Sequence, residues 1–310
     1  MAQETRNAYG EKLAELITKD KKIVVLDADL TKSTKTALAK KACPERHFNA
    51  GIAESNMMGM AAGLAASGKT VFASSFAVFA AGRAFEIIRN SICYPKLNVK
   101  ICATHAGLAV GEDGASHQAI EDVGIMRTLP NMKVFVPSDQ YEAKAVVEYI
   151  SKIDGPCYAR FGRGKVEDVY DEKHKFDFNH IDILHKGKKV VIFAMGLMVQ
   201  EAIKALPELK KIGIDATVVN VCCVKPIDAK GIIKLLKENE IAYICEEHNV
   251  IGGLYSAISE VKGNTDIKCP LIPIAVNDTF GESGKMADVL KAYGMTADNI
   301  VKTVKKSYKK

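Results

Sequence analysis

Val99-Lys-Ile-Cys-Ala103 is an apolar run that leads into a loop punctuated by glycines, His105-Ala-Gly-Leu-Ala-Val-Gly-Glu-Asp-Gly-Ala-Ser-His117. The run predicts a buried strand, and the loop carries two imidazoles and the Asp113 carboxylate. Polar residues on a loop at a strand end are typical of the functional edge of an open α/β sheet. This stretch therefore predicts a parallel sheet with its chemistry on the loop.

Short apolar runs alternate with helical patterns along the first half of the chain. Buried strands are predicted at 22–27, 70–74, 99–103, 133–136 and 157–160. Helices are predicted at 5–18, 54–67, 80–92, 117–128 and 139–150. Pro137-Ser-Asp139 is a helix-start signal, with either polar side chain able to cap the next helix. The alternation predicts a doubly wound, mainly parallel sheet.

The pattern pauses in a polar stretch that contains His174, His180 and His185, and then restarts. We expect a first domain at 1–165, a linker at 166–187 and a second doubly wound domain at 188–310. The second domain has predicted strands at 190–194, 216–221, 241–245 and 271–275. Its glycines, Gly196 and Gly252-Gly253, match neither a dinucleotide nor a P-loop fingerprint.

The composition excludes several classes of protein. The 310 residues are 48% hydrophobic and 26% charged, with a net charge of +6. Tyr308 is the only aromatic residue in the basic stretch Lys302–Lys310, so we expect no nucleic-acid partner. No apolar run is long enough to span a bilayer, and Met1–Arg6 shows no signal pattern. The eight cysteines have no metal-ligand spacing, which favours reduced thiols, a cytoplasmic location and no metal site in this chain.

Several ordered motifs resemble one enzyme family. Phe48-Asn-Ala-Gly-Ile-Ala-Glu-Ser-Asn-Met57, Phe72-Ala-Ser-Ser-Phe-Ala-Val-Phe79 and Gly111-Glu-Asp-Gly-Ala-Ser-His-Gln118 resemble the pyrimidine-binding domain of transketolase, and Pro130-Asn-Met-Lys-Val-Phe-Val-Pro-Ser-Asp139 continues the match. The second half is similar to the transketolase C-terminal domain at Val224-Lys-Pro-Ile-Asp228 and Glu246-Glu-His248. The resemblance implies an α/β thiamine-diphosphate-binding fold over essentially the whole chain.

Glu54 has two interpretations. From its position alone, a glutamate at a helix start complements the helix dipole. The resemblance instead implies a catalytic and cofactor-binding carboxyl. Thiamine diphosphate works by losing a proton from its thiazolium carbon, and a carboxyl that shares a proton with the aminopyrimidine ring promotes this loss.

Phe76 and Phe79 are the candidate ring-binding residues. Core packing is the usual role of such a pair, whereas the resemblance implies that Phe79 stacks on the aminopyrimidine with Phe76 in support. Many transketolases have an aromatic residue one helical turn later, where this chain has Gly82. That difference puts the details of the ring packing in doubt.

Six residues are the candidate substrate contacts. The resemblance implies that His117 contacts the two-carbon ketol unit catalytically and that Asp113 bonds a substrate hydroxyl. It also implies that a sugar phosphate is held by His105, Arg6, Ser33 and Arg163. Guanidinium groups suit phosphate because they bond it bidentately. Considered alone, Arg6, Ser33 and Arg163 are typical of a solvated surface, and a lone histidine is more often structural than catalytic.

The chain also lacks a motif that the family uses. Transketolases bind the cofactor diphosphate and its metal with a separate domain bearing Gly-Asp-Gly and a later Asn, and this sequence has no such motif. We therefore expect the C-terminal subunit of a split transketolase, with Mg²⁺ or Ca²⁺ held mainly by an N-terminal partner subunit. Two copies of each chain would form a heterotetramer of the pentose phosphate pathway.

The expected activity is transfer of a two-carbon ketol unit from a ketose phosphate to an aldose phosphate. Two other enzymes remain as alternatives, a deoxyxylulose-phosphate synthase-like enzyme and a 2-oxo-acid dehydrogenase beta subunit. A non-catalytic assembly subunit is the alternative outside enzymes. Glu54, Asp113 and His117 argue against it, because a scaffold has no chemical use for that set.

Overall fold

The computed structural model describes residues 2–308. The strands in this range are β1 (Gln3–Glu4), β2 (Ile23–Asp27), β3 (His47–Asn49), β4 (Thr70–Ser74), β5 (Val99–Ala103), β6 (Lys133–Phe135), β7 (Cys157–Arg160), β8 (Lys165–Val166), β9 (Asp182–His185), β10 (Lys189–Ala194), β11 (Thr217–Asn220), β12 (Cys223–Lys225), β13 (Asn239–Asn249) and β14 (Leu271–Val276).

The α-helices in the same range lie between the strands. They are α1 (Thr5–Lys19), α2 (Thr31–Thr34), α3 (Ala37–Ala42), α4 (Glu54–Ala66), α5 (Phe85–Ile87), α6 (Asp122–Thr128), α7 (Gln140–Lys152), α8 (Met198–Lys211), α9 (Ala229–Glu238), α10 (Leu254–Gly263), α11 (Met286–Ala292) and α12 (Ala297–Ser307). Two 3₁₀ turns, Pro44–Arg46 and Leu108–Asp113, and two π-helical turns, Val78–Arg83 and Ile88–Cys93, complete the set.

The larger sheet has seven strands in the order β12-β6-β7-β5-β4-β2-β3. All of them run parallel except β12, which pairs antiparallel with β6. Every residue of β2, β4 and β5 is buried, as expected for a sheet with helices on both faces. The predicted doubly wound fold is confirmed. Its edge strand β12 comes from the second half of the chain, so this sheet includes residues beyond the expected boundary.

The smaller sheet has five strands in the order β14-β13-β10-β11-β9. Its pairs are parallel except β11 with β9. Strand β9 lies inside the stretch 166–187 that was interpreted as a linker. The same stretch also contributes Val166 to the pairing of β8 with β1.

The stretch 166–187 is more structured than its polarity predicted. Tyr170 and Phe178 are buried. Phe178 meets the β6 residue Phe135 with ring centroids 5.9 Å apart. Isolated aromatic residues in a polar sequence carry no periodicity, so their burial depends on neighbours that are distant along the chain.

Two predicted helices differ from the structure. The segment predicted as one helix at 80–92 consists of the two π-helical turns around α5. The helix predicted from His117 begins only at Asp122. The loop continues to that point because the backbone carbonyls of Ala119 and Ile120 accept the N–H groups of Gly107 and Asn249 instead of those of a helix. The predicted cap is present at Asp139, whose carboxylate accepts the Glu142 N–H at 2.8 Å.

Candidate active site

The candidate site lies where the parallel strands of the larger sheet end. Ser33 lies on the segment that follows β2, Phe76 follows β4, His105 follows β5 and Arg163 follows β7. Phe76 and Thr104 form a parallel bridge just beyond the ends of their strands. Open α/β sheets place their ligand crevices at this edge.

Glu54 is buried at the first position of α4, with 3% of its surface exposed. Its Oε1 accepts the Ser75 hydroxyl at 3.3 Å, and its Oε2 accepts Arg83 Nη1 at 3.4 Å. Among residues 2–308 these two side chains are its hydrogen-bond partners, and both distances are long. The carboxylate is therefore not used as a cap for its own helix, and it keeps acceptor capacity for a ligand.

Four rings form a cluster beside this carboxylate. The Phe76 ring stacks on the His105 ring with centroids 3.7 Å apart, and it lies 6.0 Å from the nearly parallel Phe79 ring. The His117 ring meets Phe79 edge-on at 5.4 Å. Phe76 is buried, whereas Phe79 is half-buried. Phe79 therefore retains accessible aromatic surface, which is what stacking on a flat ligand requires.

His105 is a neutral hydrogen-bonding group. Its Nδ1 lies 2.9 Å from the Thr104 hydroxyl, and its Nε2 lies 3.0 Å from Arg6 Nη1. Burial, together with the positive charges of Arg6 and Arg163, lowers the pKa of His105 to about 3. Since Arg6 can only donate, the Nε2 atom must accept, so the proton of the ring is on Nδ1.

Arg6 and Arg163 are two cations near His105, and each is held by other hydrogen bonds. Arg6 donates from Nη1 to the Ser33 carbonyl at 3.0 Å and from Nε to Glu4 at 2.9 Å. Arg163 donates from Nη1 to the Val110 carbonyl at 2.7 Å. Both positive charges help to lower the pKa of His105, which indicates that the two guanidinium groups lie near this ring.

Asp113 and Arg163 interact directly. Arg163 Nη1 lies 3.3 Å from Asp113 Oδ2, and the Asp113 side chain is 37% exposed. Ion pairs of this exposure contribute about 0–1 kcal/mol. A ligand can therefore replace this contact at little cost in free energy.

The structure brings the predicted residues into one connected arrangement. Glu54 lies at one end, beside Ser75 and Arg83. The four rings connect it to the polar end, which contains Arg6, Ser33, Asp113 and Arg163. The Ser33 contact involves its backbone carbonyl.

Sequence reasoning missed Arg83. Its guanidinium carbon lies 4.6 Å from the Phe79 ring centroid, and its Nη1 contacts Glu54. The i, i+4 spacing from Phe79 to Arg83 was an available signal, because such residues are neighbours on a helical surface. The contact with Glu54 had no such signal, since the two residues are 29 positions apart.

Two properties of the described part of the chain bear on the class of protein. No helix in residues 2–308 is both long and apolar enough to cross a bilayer. The same residues contain no group of three His, Cys, Asp or Glu side chains placed to hold a metal ion.

Residues 1–168 match the family described as transketolase, pyrimidine binding domain, and residues 179–300 match transketolase, C-terminal domain. The chain belongs to the transketolase family. It is 50% identical over 307 residues to a protein of Methanocaldococcus jannaschii named for a transketolase C-terminal section, covering 98% of this chain and 96% of that protein. The prediction of a split transketolase subunit, which is an enzyme needing a second subunit, is confirmed.

Solved structures and longer relatives agree with this assignment. A split-gene transketolase, solved as an inactive β4 tetramer, has a TM-score of 0.90 at 49% identity and covers 99% of this chain and 98% of that one. Human transketolase is 34% identical over 306 residues, which are 97% of this chain but only 48% of the human protein. This transketolase chain therefore spans about half of a single-chain relative.

Proposed function

We propose that this chain is the C-terminal subunit of a thiamine-diphosphate-dependent transketolase that moves a two-carbon ketol unit from a ketose phosphate to an aldose phosphate. One observation carries the proposal. A buried carboxylate with spare acceptor capacity, Glu54, lies in the same cleft as an accessible aromatic face, Phe79, and two convergent cations, Arg6 and Arg163.

The Glu54 end of the cleft fits an aminopyrimidine. Such a ring offers N–H donors and a flat apolar face, and this end offers a carboxylate acceptor beside the Phe76 and Phe79 rings. When bound, thiamine diphosphate supplies a nucleophilic carbon that adds to the ketose carbonyl. In our proposal Glu54 holds a proton at the ring nitrogen, and burial strengthens that interaction because little water competes for the carboxyl.

The polar end of the cleft fits a sugar phosphate. We assign His117 to the ketol unit and Asp113 to a substrate hydroxyl. Neutral His105 contributes a hydrogen bond, while Arg6, Arg163 and the Ser33 segment bind the phosphate. Arg6 and Arg163 suit a dianion because guanidinium groups donate several N–H bonds in a fixed plane.

We infer that an N-terminal subunit supplies the diphosphate-binding and metal-binding groups, with Mg²⁺ or Ca²⁺ between them. The surface around Glu54 supports a subunit contact. Ile52 is 77% exposed and Phe48 is 42% exposed. On α4, the exposed residues Gly59 and Gly63 have open space where a Cβ would lie. A smooth, apolar face of this kind is typical of an interface.

We propose an assembly with two copies of each chain. The relative solved as an inactive β4 tetramer supports the need for a second kind of subunit. We also place the enzyme in the cytoplasmic pentose phosphate pathway. The eight cysteines are free and buried, as expected of a protein from a reducing compartment.

The decisive experiment compares this chain alone, an N-terminal subunit alone and the reconstituted mixture. Ketol transfer from a ketose phosphate and tight thiamine diphosphate binding should require both chains. Full activity of this chain alone would overturn the subunit proposal. Release of carbon dioxide from pyruvate by the mixture, without ketol transfer, would instead favour one of the alternative enzymes.

A further inference from the structure

Glu247 of the second domain lies directly beneath the loop that carries the candidate substrate residues. It belongs to β13 and is 5% exposed. Its Oε1 accepts the backbone N–H of Ala109, which lies on the 105–118 loop of the first domain. The two residues are 138 positions apart in the chain. The carboxylate therefore connects the two domains at the base of the loop.

Gly107 makes this close approach possible. A Cβ on Gly107 would lie 2.3 Å from the Glu247 carboxyl carbon. Gly107 also has a φ of +79°, which L side chains rarely adopt. The Glu247 carboxyl therefore occupies the space that a side chain at position 107 would need, and any larger residue there would push it away from the loop.

Arg160 contacts the backbone of Glu247. Burial raises the pKa of the Glu247 carboxyl to about 7, and the nearby positive charge of Arg160 opposes this rise. Arg160 Nη2 donates to the backbone carbonyl of Glu247 at 3.0 Å and to the Ala119 carbonyl at 3.1 Å. Its Nε pairs with the buried Asp122 at 3.0 Å. One guanidinium thus connects β7, the second domain and the far end of the loop. Because the buried ion pair of Asp122 with Arg160 is expensive to break, it fixes the guanidinium that contacts the Glu247 backbone.

The second domain contacts the loop at further points. Gln118 Nε2 donates to the Glu282 carbonyl at 3.0 Å and to the Leu108 carbonyl at 3.3 Å. Cβ atoms on Gly111 and Gly114 would lie 3.1 Å from the Gly284 carbonyl and 2.3 Å from the Ser283 hydroxyl. The inner side of the loop is therefore supported by the second domain. Its outer residues, Asp113 and His117, remain accessible.

We propose that Glu247 is a positioning residue that holds the 105–118 loop in the shape that presents Asp113 and His117 to the substrate. This gives the second domain a part in substrate recognition, although none of its residues is among the candidate substrate contacts. The assignment of these two residues to the substrate rests on the proposed function. The contact between Glu247 and the loop does not depend on the proposed function, and it can be measured without a catalytic assay.

The first test is hydrogen exchange on the full chain with Glu247→Ala, Glu247→Gln and the control Glu238→Gln. Glu238 is an exposed residue at the end of α9. Loss of the buried hydrogen bond to the Glu247 carboxyl should raise exchange at Ala109 by roughly tenfold or more in the alanine variant. The glutamine variant should be intermediate, because its amide oxygen can still accept. Unchanged loop exchange in a folded Glu247→Ala chain would overturn the proposal.

Gly107→Ala tests the same contact from the opposite side with Glu247 intact. It should raise exchange in the 105–118 loop as Glu247→Ala does, while β2 and β4 stay protected. If Glu247→Ala fails to fold, Gly107→Ala and Glu247→Gln still decide the question. If hydrogen exchange rises evenly over the whole chain, the result would contradict a positioning role for Glu247 and indicate a general structural role.

The second test uses the reconstituted complex. Glu247→Gln should raise the KM for the ketose phosphate several-fold, while the affinity for thiamine diphosphate stays as in the wild type, because Glu54 and Phe79 lie outside the loop. Equal losses of cofactor and substrate binding would overturn the proposal. A wild-type complex without ketol transfer would refute the proposed function instead, and the exchange result would still stand.

Discussion

The Arg83 guanidinium Nη1 lies 3.4 Å from Oε2 of Glu54, and the Arg83 side chain is 57% exposed while that of Glu54 is 3% exposed. An exposed cation at this distance is screened by water and stabilises a protein by about 0–1 kcal/mol. The other partner of Glu54, the Ser75 hydroxyl, is at 3.3 Å. Glu54 is therefore a buried carboxylate whose contacts within the chain do not account for its burial.

Glu54→Gln should separate function from stability. We expect the free energy of unfolding to change by about 1 kcal/mol or less. Both hydrogen bonds that this substitution weakens are already long, and water screens the exposed Arg83 partner. Turnover of the reconstituted complex should fall by about 100-fold or more, as is usual when a proton-transferring group is removed. Urea unfolding and a ketol-transfer assay measure the two effects. The exposed Glu86 provides the control variant Glu86→Gln. Near-wild-type turnover would remove Glu54 from its assigned role.

His105 should not titrate in the working range of the enzyme. Burial and two neighbouring cations lower its pKa to about 3, below the value of about 6.5 in an unfolded chain. Its contribution to stability is therefore complete above about pH 6.5 and is lost as the pH falls toward about 3. His105→Gln should raise the KM for a phosphorylated ketose and leave the shape of the pH–rate profile unchanged. An inflection between about pH 5 and pH 9 that disappears in this variant would contradict the assignment.

Arg163→Ala should discriminate between phosphorylated and free sugars. A hydrogen bond between two charged groups contributes about 1.5–3 kcal/mol, so the KM for a sugar phosphate should rise by roughly 10-fold to 100-fold. The KM for the corresponding free sugar should stay nearly constant. Steady-state kinetics with both substrates provides the measurement. If both KM values rise equally, Arg163 acts by supporting Val110 and Asp113 rather than by binding phosphate.

Ile52→Glu should weaken assembly with the N-terminal subunit. Ile52 is 77% exposed and lies two residues before Glu54, so a charge there would be buried unpaired in the proposed interface. Analytical ultracentrifugation of the mixture should show a lower fraction of complex, while circular dichroism of the variant chain stays normal. Ile183→Glu, on the exposed side of β9, is the matched control. Equal assembly by both variants would place the interface elsewhere.

Glu142→Gln should change how stability depends on pH. Burial raises the pKa of Glu142 to about 7, above the value of about 4.3 in an unfolded chain. The folded state therefore holds this proton more tightly, and the wild type loses stability as the pH rises from about 4.5 to about 7.

Glutamine stays neutral, so the variant should gain stability relative to the wild type across this window, by at most about 4 kcal/mol. The Asn220 amide that donates to Glu142 can rotate to accept from the glutamine instead. Urea unfolding of both proteins at about pH 5 and pH 8 measures the difference. A constant difference between wild type and variant would contradict the shifted pKa.

Local patterns predicted the larger sheet well. The runs that became β2, β4, β5 and β7 are mostly apolar stretches, as is typical of strands covered on both faces. The segment at 78–93 was predicted less well. Apolar periodicity indicates a helical segment but cannot distinguish an α-helix from π-helical turns, because the difference lies in which carbonyl each N–H reaches.

The candidate site also contains residues that local motifs predicted and residues that they did not. Glu54, Phe76, Phe79 and the loop from His105 to His117 were identified because their motifs are contiguous in the sequence. Arg83 and Glu247 were not assigned to the site, because they reach it across 29 and 138 positions of chain. Contacts of that kind are created by folding, and no local spacing encodes them.

The sequence by itself determined the alternation of strands and helices, the candidate residues for the chemistry and the absence of a diphosphate-binding motif. These are properties of composition and local order, which depend on short stretches of chain. Only the tertiary structure decided that Glu54 is buried with weak partners and that His105 is neutral. It also decided that the second domain supports the 105–118 loop. Burial, pKa and hydrogen-bond geometry depend on which distant segments meet, because desolvation and electrostatic neighbours act through space and not along the chain.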